Sequence, residues 1–295
     1  MRLVLTLVAN SFDALQDALS AAAEAIAAAG RPIDHTEVLG EGAADFFVEG
    51  ADLAVLRACA IRGLERASVD VCVQPAEGRR KRLLVADMDS TIIGCECPDE
   101  LADFAGLRDE IAAVTARAMA GEIPFEGALR DRVALLAGLE LAALERTYAE
   151  RVRLNPGAAR LVGTMNAHGG RCVLVSGGFD YFTSRVAEAA GFAVHHANRL
   201  VHDGARLTGA VAEPILGREA KLAALTAEAA VLGVSLAETL AVGDGANDLS
   251  MIEAAGLGVA YRAKPIVAAR ADARVDHTDL TALLYFQGYG QDVFA

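Results

Sequence analysis

The sequence predicts an α/β protein, a doubly wound parallel sheet interrupted by a helical insertion and preceded by a smaller α+β unit. Three observations lead there. From residue 172 onward strand and helix patterns alternate, which implies a parallel sheet with helices on both faces. Between the first core strand, at 83–86, and the second, at 172–176, the block 97–153 shows helical periodicity only. Ahead of both, six elements read β-α-β-β-α-β, the order of a ferredoxin-like sandwich.

The N-terminal unit reads as strand (2–8), helix (12–29), strand (33–39), strand (45–49), helix (53–66) and strand (68–73). In the first helix Phe12, Leu15, Leu19, Ala22 and Ile26 recur at intervals of three and four; Ser11 can cap its start and Gly30 its end. Residues 76–82 have the composition of a linker, so the expected division is 1–75, a linker, and a core at 83–295. The basic cluster GRRKR at 78–82 is read as a solvated part of that linker. The insertion at about 97–153 divides into helices at 99–105, 108–120, 125–136 and 140–151, with Gly106, Gly121, Pro124 and Gly138 between them. Beyond it come a strand at 172–176, a helix at 181–190, a hairpin at 200–212 around Asp203-Gly204, and a helix at 219–232. A strand at 239–243, a helix at 249–255 and a last short strand, GLGVAY, follow.

Composition bounds the function. The 295 residues, 54% hydrophobic, suffice for a large core. A formal charge of −13 argues against a phosphate-backbone footprint and so against nucleic-acid binding. The longest apolar candidate, ALSAAAEAIAAAG, is interrupted by Glu24, so no membrane span is expected. The first apolar run is cut by Asn10, Ser11 and Asp13, which speaks against a secretory leader. Five cysteines without framework spacing suggest reduced thiols and a cytoplasmic setting.

Three core strands end in polar, glycine-rich turns: DMDST after Ala86, SGGFD from Ser176, and GDGAND from Gly243. In a parallel sheet these turns meet at one edge, where ligands bind. They deliver Asp87, Asp89, Asp244 and Asp248 together with Ser176, Asn247 and glycine N–H groups open to an anion. Carboxylates gathered this tightly repel one another, and a hard dication with oxygen ligands, Mg²⁺, is the natural counterpart. Lys221 can add a positive charge. With no GxxxxGK[ST] loop, a phosphate here is not held by a P-loop. A carboxylate can instead attack phosphorus itself, and a second one two residues on can move the proton.

These motifs, DMDST, VSGGFD, the lysine and GDGANDLSM, resemble those of the haloacid dehalogenase-like phosphatases, and within them the phosphoserine phosphatases, over about 83–279. The resemblance implies a Rossmann-like core with a helical cap, Asp87 as nucleophile and Asp89 as general acid/base. It implies Mg²⁺ on Asp87, Asp244 and the Asp89 carbonyl; Ser176, Gly177, Lys221 and Asn247 around the phosphoryl oxygens; and Asp248 in support. GEIPFEGALRDRV, 121–133, resembles the substrate-reading stretch of the cap, in which Phe125 packs on the substrate and Arg132 clamps its carboxylate. Glu96 would then accept from the substrate ammonium. The implied reaction is hydrolysis of O-phospho-L-serine, the last step of serine biosynthesis. The first 75 residues resemble ACT-like regulatory domains, which raises serine binding there and a homodimer as further expectations, although the turn VANSFD lacks the glycine common at such ligand-binding turns. Cys95 and Cys97, without a second pair or a nearby His, are read as spectator thiols rather than a metal site.

Overall fold

A computed structural model describes residues 1–119, 122–217 and 219–295. The N-terminal elements are β1 (Arg2–Ala9), α1 (Phe12–Ala28), β2 (His35–Gly40), β3 (Ala43–Glu49), α2 (Leu53–Gly63) and β4 (Val69–Pro75). The strands pair antiparallel in the order β2-β3-β1-β4, and α1 and α2 cover one face through Leu15, Ala18, Ala22, Ile26, Leu56 and Ala60. Ser11 Oγ caps α1 by accepting from Ala14 N, and Asp52 caps α2 by accepting from Val55 N.

The core begins with β5 (Leu83–Asp87), and the cap helices follow: α3 (Cys97–Ala105), α4 (Arg108–Met119), α5 (Phe125–Leu135) and α6 (Leu141–Arg151). The expected helix end at residue 120 and Gly121 lie outside the described residues. Next come α7 (Ala158–Ala167), β6 (Arg171–Phe179), α8 (Asp180–Ala190), β7 (Val194–Asn198) and the hairpin β8 (Leu200–His202) and β9 (Leu207–Val211). The chain continues through α9 (Ala220–Leu232), β10 (Thr239–Gly243), α10 (Leu249–Ala254), β11 (Leu257–Tyr261), α11 (Pro265–Ala268), β12 (Ala273–Val275) and α12 (Ala282–Phe286).

Strands β12, β11, β10, β5, β6 and β7 pair parallel in that order. Side chains alternate across them: Leu83, Val85, Val173, Val175 and Ala241 face α9 and α10, while Leu84, Ala86, Leu174, Leu240 and Val242 face α7, α8 and α12. Both faces are therefore buried, and the strands read as unbroken apolar runs.

Besides elements the sequence reading left unassigned, such as α7 and β7, two departures bear on how the units meet. β12 was not foreseen, because ARV is a three-residue strand with a charged centre. It pairs antiparallel with β4 through Ala273 and Cys72, so one ten-stranded sheet runs through both units. Asp70 of β4 strengthens the join by accepting from the N–H groups of Asp276, His277 and Thr278 and from the Thr278 hydroxyl. The GRRKR stretch, expected to be solvated, is docked instead. Arg79 pairs with the fully buried Asp45 at 2.6 Å, Arg80 stacks on Tyr289, and Lys81 Nζ donates to Ala237 O at 2.8 Å. Among the described residues no helix is long and apolar enough to cross a membrane.

Candidate active site

The parallel register of β10, β5 and β6 brings the three polar turns to one edge. After Asp87 the chain makes a tight turn through 88–92, with Ser90 at φ 57°, a left-handed conformation that costs a non-glycine residue. The cost is met by bonds on both sides: Ser90 N donates to Cys95 O and Ile93 N to Met88 O. The turn aims Asp87 and Asp89 into the same space.

Lys221, 4% exposed, reaches the acids from the first turn of α9. Its Nζ lies 2.6 Å from Asp87 Oδ1 and also donates to Asp248 Oδ1. The second oxygen of Asp248 accepts from the N–H groups of Asp244 and Gly245, so Asp248 holds both the lysine and the β10 turn. Burial pushes the Asp87 carboxyl well above the usual range, with the charge of Asp248 adding and Lys221 opposing. Burial also works against the lysine's charge, but Asp87 and Asp248 outweigh it and hold Lys221 above its ordinary value.

Asp89 accepts from Cys97 N at 2.9 Å through one oxygen and from Ser176 Oγ at 3.1 Å through the other. Burial, then the neighbouring Glu96, raise its pKa to about 6. A carboxyl poised there can give up or take a proton near neutrality. Ser176 Oγ also accepts from Gly178 N. A Cβ on Gly178 would sit 3.1 Å from Ser176 Oγ and 3.2 Å from Asp89 Oδ2, so only glycine leaves this approach open.

Asp87, Asp244 and Asp248 each place a carboxylate oxygen within 4.8 Å of the others. Burial, Asp248 and Glu96 raise Asp244 to about 6, with Lys264 and Lys221 opposing. Strained, oxygen-only donors of this kind suit a hard dication. Since both oxygens of Asp248 are already engaged, Asp87 and Asp244 are the better candidate ligands, with Asp248 behind them.

The remaining expected residues divide in two. Glu96, exposed at the start of α3, accepts from Ser90 Oγ at 2.6 Å and so stands beside Asp89. From the cap, the Phe125 ring lies 3.6 Å from where a Cβ on Gly177 would be. Arg132, about two turns further along α5, donates through Nε to Ala128 O. Its burial lowers its pKa while Asp99 and Glu96 oppose, which places it in the field of both acids. Asn247, by contrast, is exposed, and it has no hydrogen bond from its side chain among the described residues.

Thr91 and Asn198 were missed by sequence reasoning. Thr91 Oγ1 donates to Asp244 Oδ1 at 3.3 Å, linking the β5 and β10 turns. Asn198 Nδ2 donates to Gly177 O and Leu216 O, and its Oδ1 accepts from Leu216 N, which buttresses the β6 turn. The threonine stood inside DMDST and was readable as polar; Asn198 lies in no motif and gave no signal.

Residues 84–253, more than half of the chain, match the haloacid dehalogenase-like hydrolase family. A phosphoserine phosphatase of Streptomyces coelicolor is 42% identical over 277 residues, covering 92% of this chain and 67% of its own length. Among solved structures, a HAD-family hydrolase from Salmonella enterica serovar Typhi aligns with a TM-score of 0.83 at 26% identity, covering 99% of both chains. A phospho-aspartyl intermediate analogue of phosphoserine phosphatase aligns at 0.64 and 38% identity, over 70% of this chain and 99% of that one.

Proposed function

This chain belongs to the haloacid dehalogenase-like hydrolase family and is a phosphatase, and we propose that it hydrolyses O-phospho-L-serine to serine and phosphate through an aspartyl-phosphate on Asp87. The observation that carries the reading is the pairing of a fully engaged acid–lysine–acid set, Asp87, Lys221 and Asp248, with a second acid, Asp89, whose pKa is raised to about 6. The solved phospho-aspartyl analogue of a phosphoserine phosphatase supports it by likeness.

In the first half-reaction an oxygen of Asp87 forms a bond to phosphorus while the phosphorus–serine oxygen bond breaks, and protonated Asp89 gives its proton to the departing serine oxygen. In the second, Asp89, now ionised, takes a proton from water as that water attacks phosphorus and releases Asp87. Lys221 stays charged throughout and faces the phosphoryl oxygens with Ser176, Asn247 and the N–H of Gly177. Asp87, Asp244 and the Asp89 carbonyl would hold Mg²⁺, which when bound offsets the charge of the acids and of the phosphoryl group. Glu96 would accept from the substrate ammonium, Arg132 would take its carboxylate, and Phe125 would close over it from the cap.

The test is phosphate release from L-phosphoserine against phosphothreonine, phosphoglycolate and sugar phosphates, with Mg²⁺ and with chelator. Metal-dependent preference for phosphoserine is expected. Equal turnover of phosphoglycolate, which has no ammonium, would reject the role given to Glu96. A cytoplasmic setting belongs to the same reading, supported by five free thiols. Serine feedback through residues 1–75 is a separate proposal; titration of serine into the full chain without heat, and without change of oligomeric state, would remove both it and a serine-linked homodimer.

A further inference from the structure

The cap leaves the core at 93–97 and returns at 151–155, and the two crossings are bound to each other. Ile93 and Leu154 form an antiparallel bridge, and Gly94 N donates to Arg153 O. Asn155 completes the join. Its backbone N–H donates to Ile92 O at 2.8 Å, and its side-chain Nδ2 donates to Thr91 O at 2.8 Å and Ile93 O at 3.1 Å. The next residue is tied to the core from the other side, because Pro156 O accepts from Leu280 N. Asn155 is thus fixed to the core at the return crossing and grips the turn that carries Asp87 and Asp89. That turn's own Thr91 hydroxyl donates to Asp244 Oδ1.

We propose that Asn155 is a positioning residue for the metal site: its amide sets the height of the 91–93 backbone, and Thr91 transmits that setting to Asp244. The proposal rests on the reading of Asp87 and Asp244 as Mg²⁺ ligands. Three carbonyls, those of Thr91, Ile92 and Ile93, converge on this one residue. Two of them, those of Thr91 and Ile93, are held by its side chain, so losing the amide loosens the turn without touching either acid, while the backbone bond to Ile92 O stays. Groups that orient a metal's ligands are worth about 10–100-fold in affinity or activity when lost.

The experiment is calorimetric titration of Mg²⁺ into metal-stripped full-length chain, paired with kcat and KM for phosphoserine at low and at saturating Mg²⁺. Asn155→Ala and Thr91→Val are each expected to weaken Mg²⁺ binding by about tenfold or more. Turnover should be largely recovered at saturating Mg²⁺, KM for phosphoserine should change little, and Thr91→Ser, which keeps the hydroxyl, should bind as the parent does. Since both residues act on one turn, the double variant should bind no more weakly than the weaker single one. Parent-like Mg²⁺ affinity in Asn155→Ala, or losses that multiply in the double variant, would overturn the proposal. Should Asn155→Ala not fold, Asn155→Leu, which fills the space without a donor, is read in the same way. If the parent chain itself takes up no Mg²⁺, the metal reading fails and this inference with it; ordinary uptake by the parent with an unchanged variant rejects the role of Asn155 alone.

Discussion

The strand-end acids and the cap face the same space but are held in opposite ways. Asp87, Lys221 and Asp248 are buried and cross-bonded, so each side chain has two or more fixed partners. Glu96, Phe125 and Arg132 are partly or largely exposed and lightly tied: a bond to Ser90, a contact above Gly177, a bond within α5. On the proposed reading, the chemistry sits on preorganised groups, and substrate reading falls to the lightly tied groups of the cap.

The sharpest way to break that contrast is Asp87→Asn. It should bring phosphate release to background while the circular dichroism spectrum stays unchanged, and surviving turnover would refute an aspartyl-phosphate. Asp89→Asn should follow with a loss of about 10²–10⁴-fold in kcat, the usual worth of a positioned acid/base. Lys221→Met asks whether the buried set is interdependent. It strands two buried carboxylates, so urea unfolding should show a loss of about 3–5 kcal/mol beside the loss of activity. Arg132→Ala tests the cap: KM for phosphoserine should rise about 10–100-fold, the worth of charge-assisted hydrogen bonds, while p-nitrophenyl phosphate turnover stays near the parent level.

The smallest effect concerns pH. Asp89 and Asp244 titrate near about 6 in the folded chain against an ordinary 3.8. Between those values the folded chain binds protons that the unfolded chain has released, so stability rises as pH falls through 6. In chelator the thermal midpoint should therefore climb between about pH 7.5 and about pH 5. Added Mg²⁺, which favours the ionised acids, should flatten the trend. A midpoint that falls over this range in chelator would mean the acids are not strained.

Much of this was readable beforehand because it depends on local pattern. Fully buried runs such as Leu83–Ala86 must be apolar throughout, and the acids that follow them stand out against that run. The cap helices declared themselves through periodicity and glycine punctuation. What escaped depends on distant partners. β12 is a strand only because β11 and β4 flank it, and α7 was passed over between the cap and β6. The basic stretch before β5 looked solvated because its acidic and aromatic partners, Asp45 and Tyr289, lie far away in the chain. Asn155 and Asn198 act through backbone carbonyls, which no residue pattern reports.

The join of β4 to β12 also bears on how the chain is made. β1 is buried at seven of its eight positions, and α12 packs against the face of the N-terminal sheet that α1 and α2 leave bare. While a ribosome is still adding residues 76–286, that face and the outer edge of β4 have no native cover. At about 5–20 residues per second the interval is roughly 10–40 s, long beside the folding of so small a unit. An open sheet edge invites pairing with another chain. The nascent protein is therefore most exposed to misassociation after its first unit has formed, and chaperone demand should track the rate at which the catalytic half is delivered.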